Sequence, residues 1–176
     1  MRIAFRPSSS SAVIAACVVG TLFIGATGKA RAQSVYLPFD DDDAGPGQIF
    51  VRDGGDQPTF VAGRHGRAIL FGERAVVALP FEVDPRTYPQ ITVSAWIKFG
   101  DDAAGQPWLF NADGSYLPAM RLSNRRLGVA GRRADGTGNL RSDTQLPVDE
   151  WVQVAAVWDY DAPHHPDSRR AGDKAV

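Results

Sequence analysis

Cysteine is almost absent from this chain: Cys17 is the single one in 176 residues. A lone thiol makes no intramolecular disulfide and excludes the paired-cysteine spacings of a structural zinc site. Lysine is scarce as well, with three residues against sixteen arginines. No window carries a helical apolar stripe with capping residues, and there is no internal repeat or low-complexity linker. Past residue 32 no apolar run approaches the ~20 residues that cross a bilayer. What is left is a chain that must fold by burial, from short apolar segments separated by Gly, Pro and Asp clusters.

The N-terminus has the three parts of a secretory signal. Arg2 and Arg6 form a basic start, and no charge occurs between Ser11 and Gly28. The apolar stretch then ends at Ala30-Arg31-Ala32, a small-x-small cleavage site. Cleavage is expected after Ala32, which makes residues 1–32 a leader and places the rest in the periplasm or outside the cell. Cys17 is not followed by the end of the apolar run that a lipid-attachment box requires, so it is read as filler that leaves with the leader. The leader holds four basic residues and no acidic one, so the remainder carries 15 basic against 20 acidic side chains, net −5. That balance argues against nucleic acid as a partner. With the leader gone, no stable membrane insertion is expected either.

The remaining segments read as strands. Residues 91–99 are the clearest: Ile91, Val93, Ala95, Ile97 and Phe99 alternate with Thr92, Ser94, Trp96 and Lys98, a period of two with one apolar face. Residues 68–71 and 75–79 flank Gly72-Glu73-Arg74 and predict a tight hairpin. Residues 120–122 and 127–130 bracket Ser123-Asn124-Arg125-Arg126, and residues 151–158 form another β-rich run. Trp96, Trp151 and Trp158 fall in such runs, where core packing is the ordinary role. Residues 161–176 are polar, nearly devoid of apolar side chains, and expected to be a disordered tail.

Four segments together resemble the concanavalin A-like lectin/glucanase superfamily, in particular its bacterial laminin G-like domains. They are Val35-Tyr36-Leu37-Pro38-Phe39-Asp40, Gly63-Arg64-His65-Gly66-Arg67-Ala68-Ile69-Leu70-Phe71-Gly72, Ile91-Thr92-Val93-Ser94-Ala95-Trp96-Ile97-Lys98, and Leu146-Pro147-Val148-Asp149-Glu150-Trp151-Val152-Gln153-Val154-Ala155-Ala156-Val157-Trp158-Asp159. The resemblance implies an all-β fold, a two-sheet antiparallel jelly-roll sandwich, over residues 33–160. In that family a further strand pair and closing strands follow the last segment; none is found after Asp159. The implied domain is therefore incomplete, with open edges and uncovered apolar faces.

The chemistry is read by subtraction. Relatives that hydrolyse β-glucans alternate three carboxylates along one strand, which brings them to one face. Here Glu82 and Asp84 begin such a pattern, Pro85 interrupts it, and no third carboxylate follows. No catalytic residue is assigned. The resemblance implies calcium at one rim of the sandwich, with Asp113 in the position of the first ligand. Calcium takes six to eight oxygens, so a lone aspartate reads more simply as part of an Asp-Gly turn. The run Asp40-Asp41-Asp42-Asp43 and the pair His164-His165 read as solvated. Trp108, Asn111 and Tyr116, near one turn, are the candidates for stacking on and hydrogen-bonding to a sugar. The expected function is a non-catalytic, exported recognition or adhesion module for carbohydrate or an extracytoplasmic protein. The alternatives are a glycan hydrolase, or a fragment of one, and an inactive truncated domain.

Overall fold

The computed structural model describes residues 2–4, 14–20, 35–40, 45, 47–52, 54–72, 74–79, 83, 88–100, 107–112, 118–133 and 136–160. Thirteen strands run through them: β1 (Arg2–Ala4), β2 (Ile14–Gly20), β3 (Val35–Leu37), β4 (Gln48–Val51), β5 (Thr59–Ala62), β6 (Arg67–Phe71) and β7 (Ala75–Ala78), then β8 (Gln90–Phe99), β9 (Trp108–Asn111), β10 (Ala119–Ser123), β11 (Arg126–Arg133), β12 (Gly136–Arg141) and β13 (Val152–Asp159). No helix occurs among the described residues. Every pairing is antiparallel. One sheet has seven strands in the order β12-β11-β10-β9-β1-β7-β4; the other has six, β13-β8-β2-β6-β5, with β3 also on β2. The fold is the all-β, two-sheet antiparallel sandwich that the strand pattern and the resemblance imply.

The period of two in β8 appears as strict alternation of buried and half-buried residues. Its odd face, including Ile91, Ile97 and Phe99 at 1–2 % exposure, points into the core. β13 alternates in the same way, burying Val154, Ala156 and Trp158. Phe110, Met120, Leu122 and Leu127 supply buried residues from the seven-stranded sheet. Each such side chain contributes on the order of 1.5–3 kcal/mol by leaving water. Trp158 also ties the layers by direction: its indole N–H donates to the Ala130 carbonyl on β11 at 3.0 Å, and its ring lies 5.8 Å from that of Phe110. Gly131 makes room for it, since a Cβ there would sit 3.0 Å from the Trp158 ring. At the outer edge, Leu140 on β12 is 63 % exposed although its register partner Val129 packs against the core. The inner face is uncovered there.

The hairpin expected across Gly72-Glu73-Arg74 does not form. β6 pairs with β5 and β2 in one sheet, whereas β7 pairs with β4 and β1 in the other. The connection crosses between layers. Its flanks explain why: Ala68-Ile69 and Ala75-Val76-Val77 are buried at consecutive positions, so neither strand has the polar face that a one-sheet hairpin would turn to solvent. Arg74, at φ 59°, and the Ala75 N–H bonded to the Gly72 carbonyl at 3.4 Å make the corner.

Asn124 and Arg125 join β10 to β11 as a two-residue turn with φ of 50° and 58°. Both central residues are left-handed, the condition of a type I′ hairpin turn.

Tyr160 follows directly on β13, and its buried hydroxyl has no hydrogen-bond partner among the described residues. Burial pushes its pKa up from 10.0 to about 12. Below pH 10 the phenol is neutral whether the chain is folded or unfolded. Between 10 and 12 the unfolded chain ionises first, so stability falls as pH rises through that window. Tyr160→Phe is expected to leave stability at pH 8 unchanged or slightly higher and to flatten the decline. Urea midpoints of both proteins at pH 8 and pH 11 check this.

β1 and β2 come from the residues that read as a secretory leader. An apolar, partly β-branched segment such as Ile14-Ala15-Ala16-Cys17-Val18-Val19-Gly20 suits the interior of a sheet as well as a signal core.

Candidate functional site

β9 begins the candidate site. A strict period of two would put Trp108 and Phe110 on one face and Leu109 and Asn111 on the other. The register against β10 contradicts this, since Met120 faces Phe110 while the next residue, Arg121, faces Trp108. Leu109 is the extra residue of a bulge, which places two residues opposite one and re-aims the strand. Leu109 and Phe110 are therefore both buried, while Trp108 and Asn111, three positions apart, are both half-buried on the outer face.

The registers extend that face across four strands. Trp108, Arg121, Gly128 and Arg141 form one cross-strand row; Asn111, Ala119, Ala130 and Asn139 form the adjacent row. Strand spacing makes each row about 14 Å wide. The Arg121 guanidinium lies over the Trp108 ring, 5.5 Å from its centroid, and holds the indole in one orientation. Arg141 donates to the Ser123 carbonyl at 2.9 Å. Between the aromatic and amide groups on β9 and the exposed Arg141 and Asn139 on β12, the floor carries only Gly128, Ala119 and Ala130 beside Arg121. Among the described residues, no strand of this sheet contains an aspartate or glutamate.

Of the residues singled out from the sequence, Trp108 and Asn111 meet on this face. Tyr116 and Asp113 lie outside the described residues, as do Glu82, Asp84 and residues 161–176. Arg121, Gly128, Asn139 and Arg141 were missed. Their signal was the alternation 119/121, 128/130 and 139/141, but its phase relative to Trp108 was hidden by the bulge.

A second cluster joins two of the quoted motifs. The core role expected of Trp96 is not what the structure has: it lies on the half-buried even face of β8. Its covers come from residues 63–66, where the Arg64 guanidinium is 5.4 Å from the ring centroid and the His65 ring stands edge-on at 6.0 Å. The Gly63 N–H bonded to the Gly66 carbonyl at 2.9 Å closes that loop. Gly66 has φ +63°, and a Cβ there would collide with the Asp40 carboxylate, which accepts the Arg67 N–H at 2.9 Å. Asp40 thus anchors the loop. No group of three or more metal-ligating side chains occurs among the described residues.

Residues 71–164, just over half of the chain, match the family model described as the concanavalin A-like lectin/glucanases superfamily, of laminin G type. The chain belongs to this family. The match begins at the last residue of β6 and covers β7 to β13, so all four strands of the candidate face fall within it. Comparison with curated proteins and with solved structures finds no match. A laminin G-type domain is a carbohydrate- or protein-binding module in outline, and the name of the superfamily joins lectins with glucanases.

Proposed function

We propose that this laminin G-type domain is an exported, non-catalytic recognition module that binds carbohydrate on the outer face of β9–β12. One observation carries the reading. The two cross-strand rows set an indole and two amides around a floor of side chains no larger than a methyl, apart from Arg121 stacked on the indole. A sugar has apolar faces for the ring and a rim of hydroxyls for amides and guanidinium groups. Arg121 and Arg141 add planar donors that suit carboxylate or sulfate substituents. The non-catalytic part of the reading rests on the sequence: Glu82 and Asp84 have no third carboxylate in strand register and Pro85 interrupts the pattern, whereas hydrolysis needs two carboxyls about 5–5.5 Å apart or, with inversion, about 6.5–9.5 Å apart.

The test is calorimetric titration with neutral and uronic-acid polysaccharides. Trp108→Ala and Arg121→Ala are each expected to weaken binding about tenfold, or 1.4 kcal/mol. Gly128→Gln separates binding from folding. A Cβ at Gly128 meets its nearest neighbour, Arg121 Cγ, at an ordinary 3.5 Å, so the longer side chain fills the floor without disturbing the strand. Unchanged binding in Gly128→Gln would remove this face from the proposal. Reducing-sugar release from β-glucan, abolished by Glu82→Gln, would replace it with the hydrolase reading. For calcium at Asp113, affinity no tighter than roughly 10⁻⁴ M is expected. Micromolar binding lost in Asp113→Ala would show a complete site.

A further inference from the structure

The outer face of the six-stranded sheet carries a group of hydrogen-bond donors that the β9–β12 face does not involve. Trp96 stands on the even face of β8 between Ser94 and Lys98, with Gln153 of β13 opposite it in the register. Ile69 and Ile97 both face Ala16, so Trp96 is level with Ala68 near the start of β6, two strand spacings or about 9.6 Å away. The loop 63–66 that precedes β6 crosses that distance. Arg64 and His65 are both exposed, and they come to 5.4 Å and 6.0 Å from the Trp96 ring. Neither makes a hydrogen bond or an ion pair among the described residues. The Arg64 guanidinium is thus held in place by the indole while its N–H donors stay unspent.

The surroundings are cationic. Lys98 is on the same face of β8, about 6.6 Å further along. The acidic groups near the cluster are engaged or distant. Asp40, beside Gly66, accepts the Arg67 N–H. Asp159 lies about 20 Å along the strands from Trp96 and accepts from Gln90 at 3.1 Å. Asp149 sits at the far end of β8, where its N–H donates to the Phe99 carbonyl, and Glu150 follows it. A guanidinium, an imidazole and an ammonium therefore gather around one indole in a chain whose net charge is −1. On β13, next to Ser94 and Thr92, Ala155 and Val157 add exposed apolar surface, 66 % for Val157.

We propose that this cluster is a binding site for a small organic anion, a carboxylate or phosphate head on an apolar body. Arg64 takes the head through paired N–H donors, His65 supplies a further one, and the body lies beside the indole along Ala155 toward Val157. The site is on the opposite sheet from β9–β12 and is independent of the carbohydrate reading. None of its side chains belongs to residues 1–32.

The experiment is a nuclear magnetic resonance titration of the isotope-labelled full chain with benzoate, phenyl phosphate and benzyl alcohol. The signal followed is the Trp96 indole N–H, assigned by its loss in Trp96→Phe. The expected result is a saturable shift with benzoate or phenyl phosphate, and the tighter of the two names the head group. Benzyl alcohol, which has the body without the charge, should bind about tenfold more weakly, and Arg64→Gln should weaken the anion by a similar factor. Ala155→Glu and Ala155→Gln alter an exposed position equally in size, so they separate charge from bulk. The anion should bind Ala155→Glu about fivefold more weakly than Ala155→Gln. Any of four results would overturn the proposal: no saturable shift with either anion, equal affinity for benzyl alcohol, unchanged binding in Arg64→Gln, or equal binding by the two Ala155 variants.

Discussion

Ala95→Asp is expected to unfold the protein, while Thr92→Asp on the same strand is tolerated. Ala95 is 5 % exposed on the odd face of β8, between Val154 of β13 and Val18 of β2. No buried polar or charged side chain is found among the described residues, so a carboxylate at this position meets neither a donor nor a cation. Burying it costs several kcal/mol, whether it stays ionised or takes up a proton. A domain of this size has about 5–15 kcal/mol in total. Thr92 lies on the opposite face, and its partner Val157 is 66 % exposed, so an aspartate there keeps its hydration and costs under about 1 kcal/mol. Urea titration of both variants of the full chain, followed by far-ultraviolet circular dichroism, decides the matter. Equal midpoints would mean that the register of β8 is reversed.

The second large effect is expected at the corner between the sheets. A Cβ at Gly72 would stand 2.5 Å from Asp56 Cβ and 2.9 Å from the Asp56 carbonyl oxygen. The obstacle is a strand-flanking backbone rather than the tip of a flexible side chain, so relief requires moving the chain that leads into β5. Gly72→Val is expected to cost roughly 3 kcal/mol, and to lower the melting temperature by about 10 °C. Gly128→Ala supplies the contrast within the same protein. Its Cβ has ordinary contacts at 3.5 Å or more, and exchanging glycine for alanine inside a strand stabilises by about 0.5 kcal/mol. Opposite signs from two glycine substitutions, read in one calorimetric series, distinguish close approach from chain entropy. A melting temperature unchanged by Gly72→Val would show that the layers are not locked at this corner.

These expectations bear on the binding proposal, because the face of β9–β12 is only as precise as the core beneath it. Trp158, donating across the sandwich to Ala130, fixes β11 from behind. At the end of the β11–β12 pair, Ser142 accepts the Leu127 N–H on its hydroxyl at 3.0 Å and donates its own N–H to the Leu127 carbonyl at 2.8 Å. Arg126 reaches the Ser142 and Asp143 carbonyls from the same strand. The rows of the candidate face are thus backed by a buried layer and held at one end by side-chain bonds.

The sequence by itself determined the strands whose burial is one-sided. β8 and β13 were legible because alternation is a local property: one residue's polarity and the next residue's suffice to assign the face. The family motifs were legible for a related reason, since the glycines at 66 and 72 answer to contacts that no other residue type permits. Trp108 and Asn111 were singled out for their position beside a turn. That they share a face was decided by the bulge at Leu109, a property of the pairing with β10 and not of either residue. Only the tertiary structure decided which sheet each apolar strand joins. Residues 67–71 and 75–78 are both mainly apolar on either side of a three-residue connection, with buried residues at consecutive positions, and a run buried on both faces has no period from which a partner can be read. The same holds for Ile14–Gly20. A short, uncharged, apolar segment meets the requirements of a signal core and of a central strand equally, because each asks only that the side chains leave water. Which neighbours receive it is settled by the backbone hydrogen bonds of β8, β6 and β3, which no local pattern encodes.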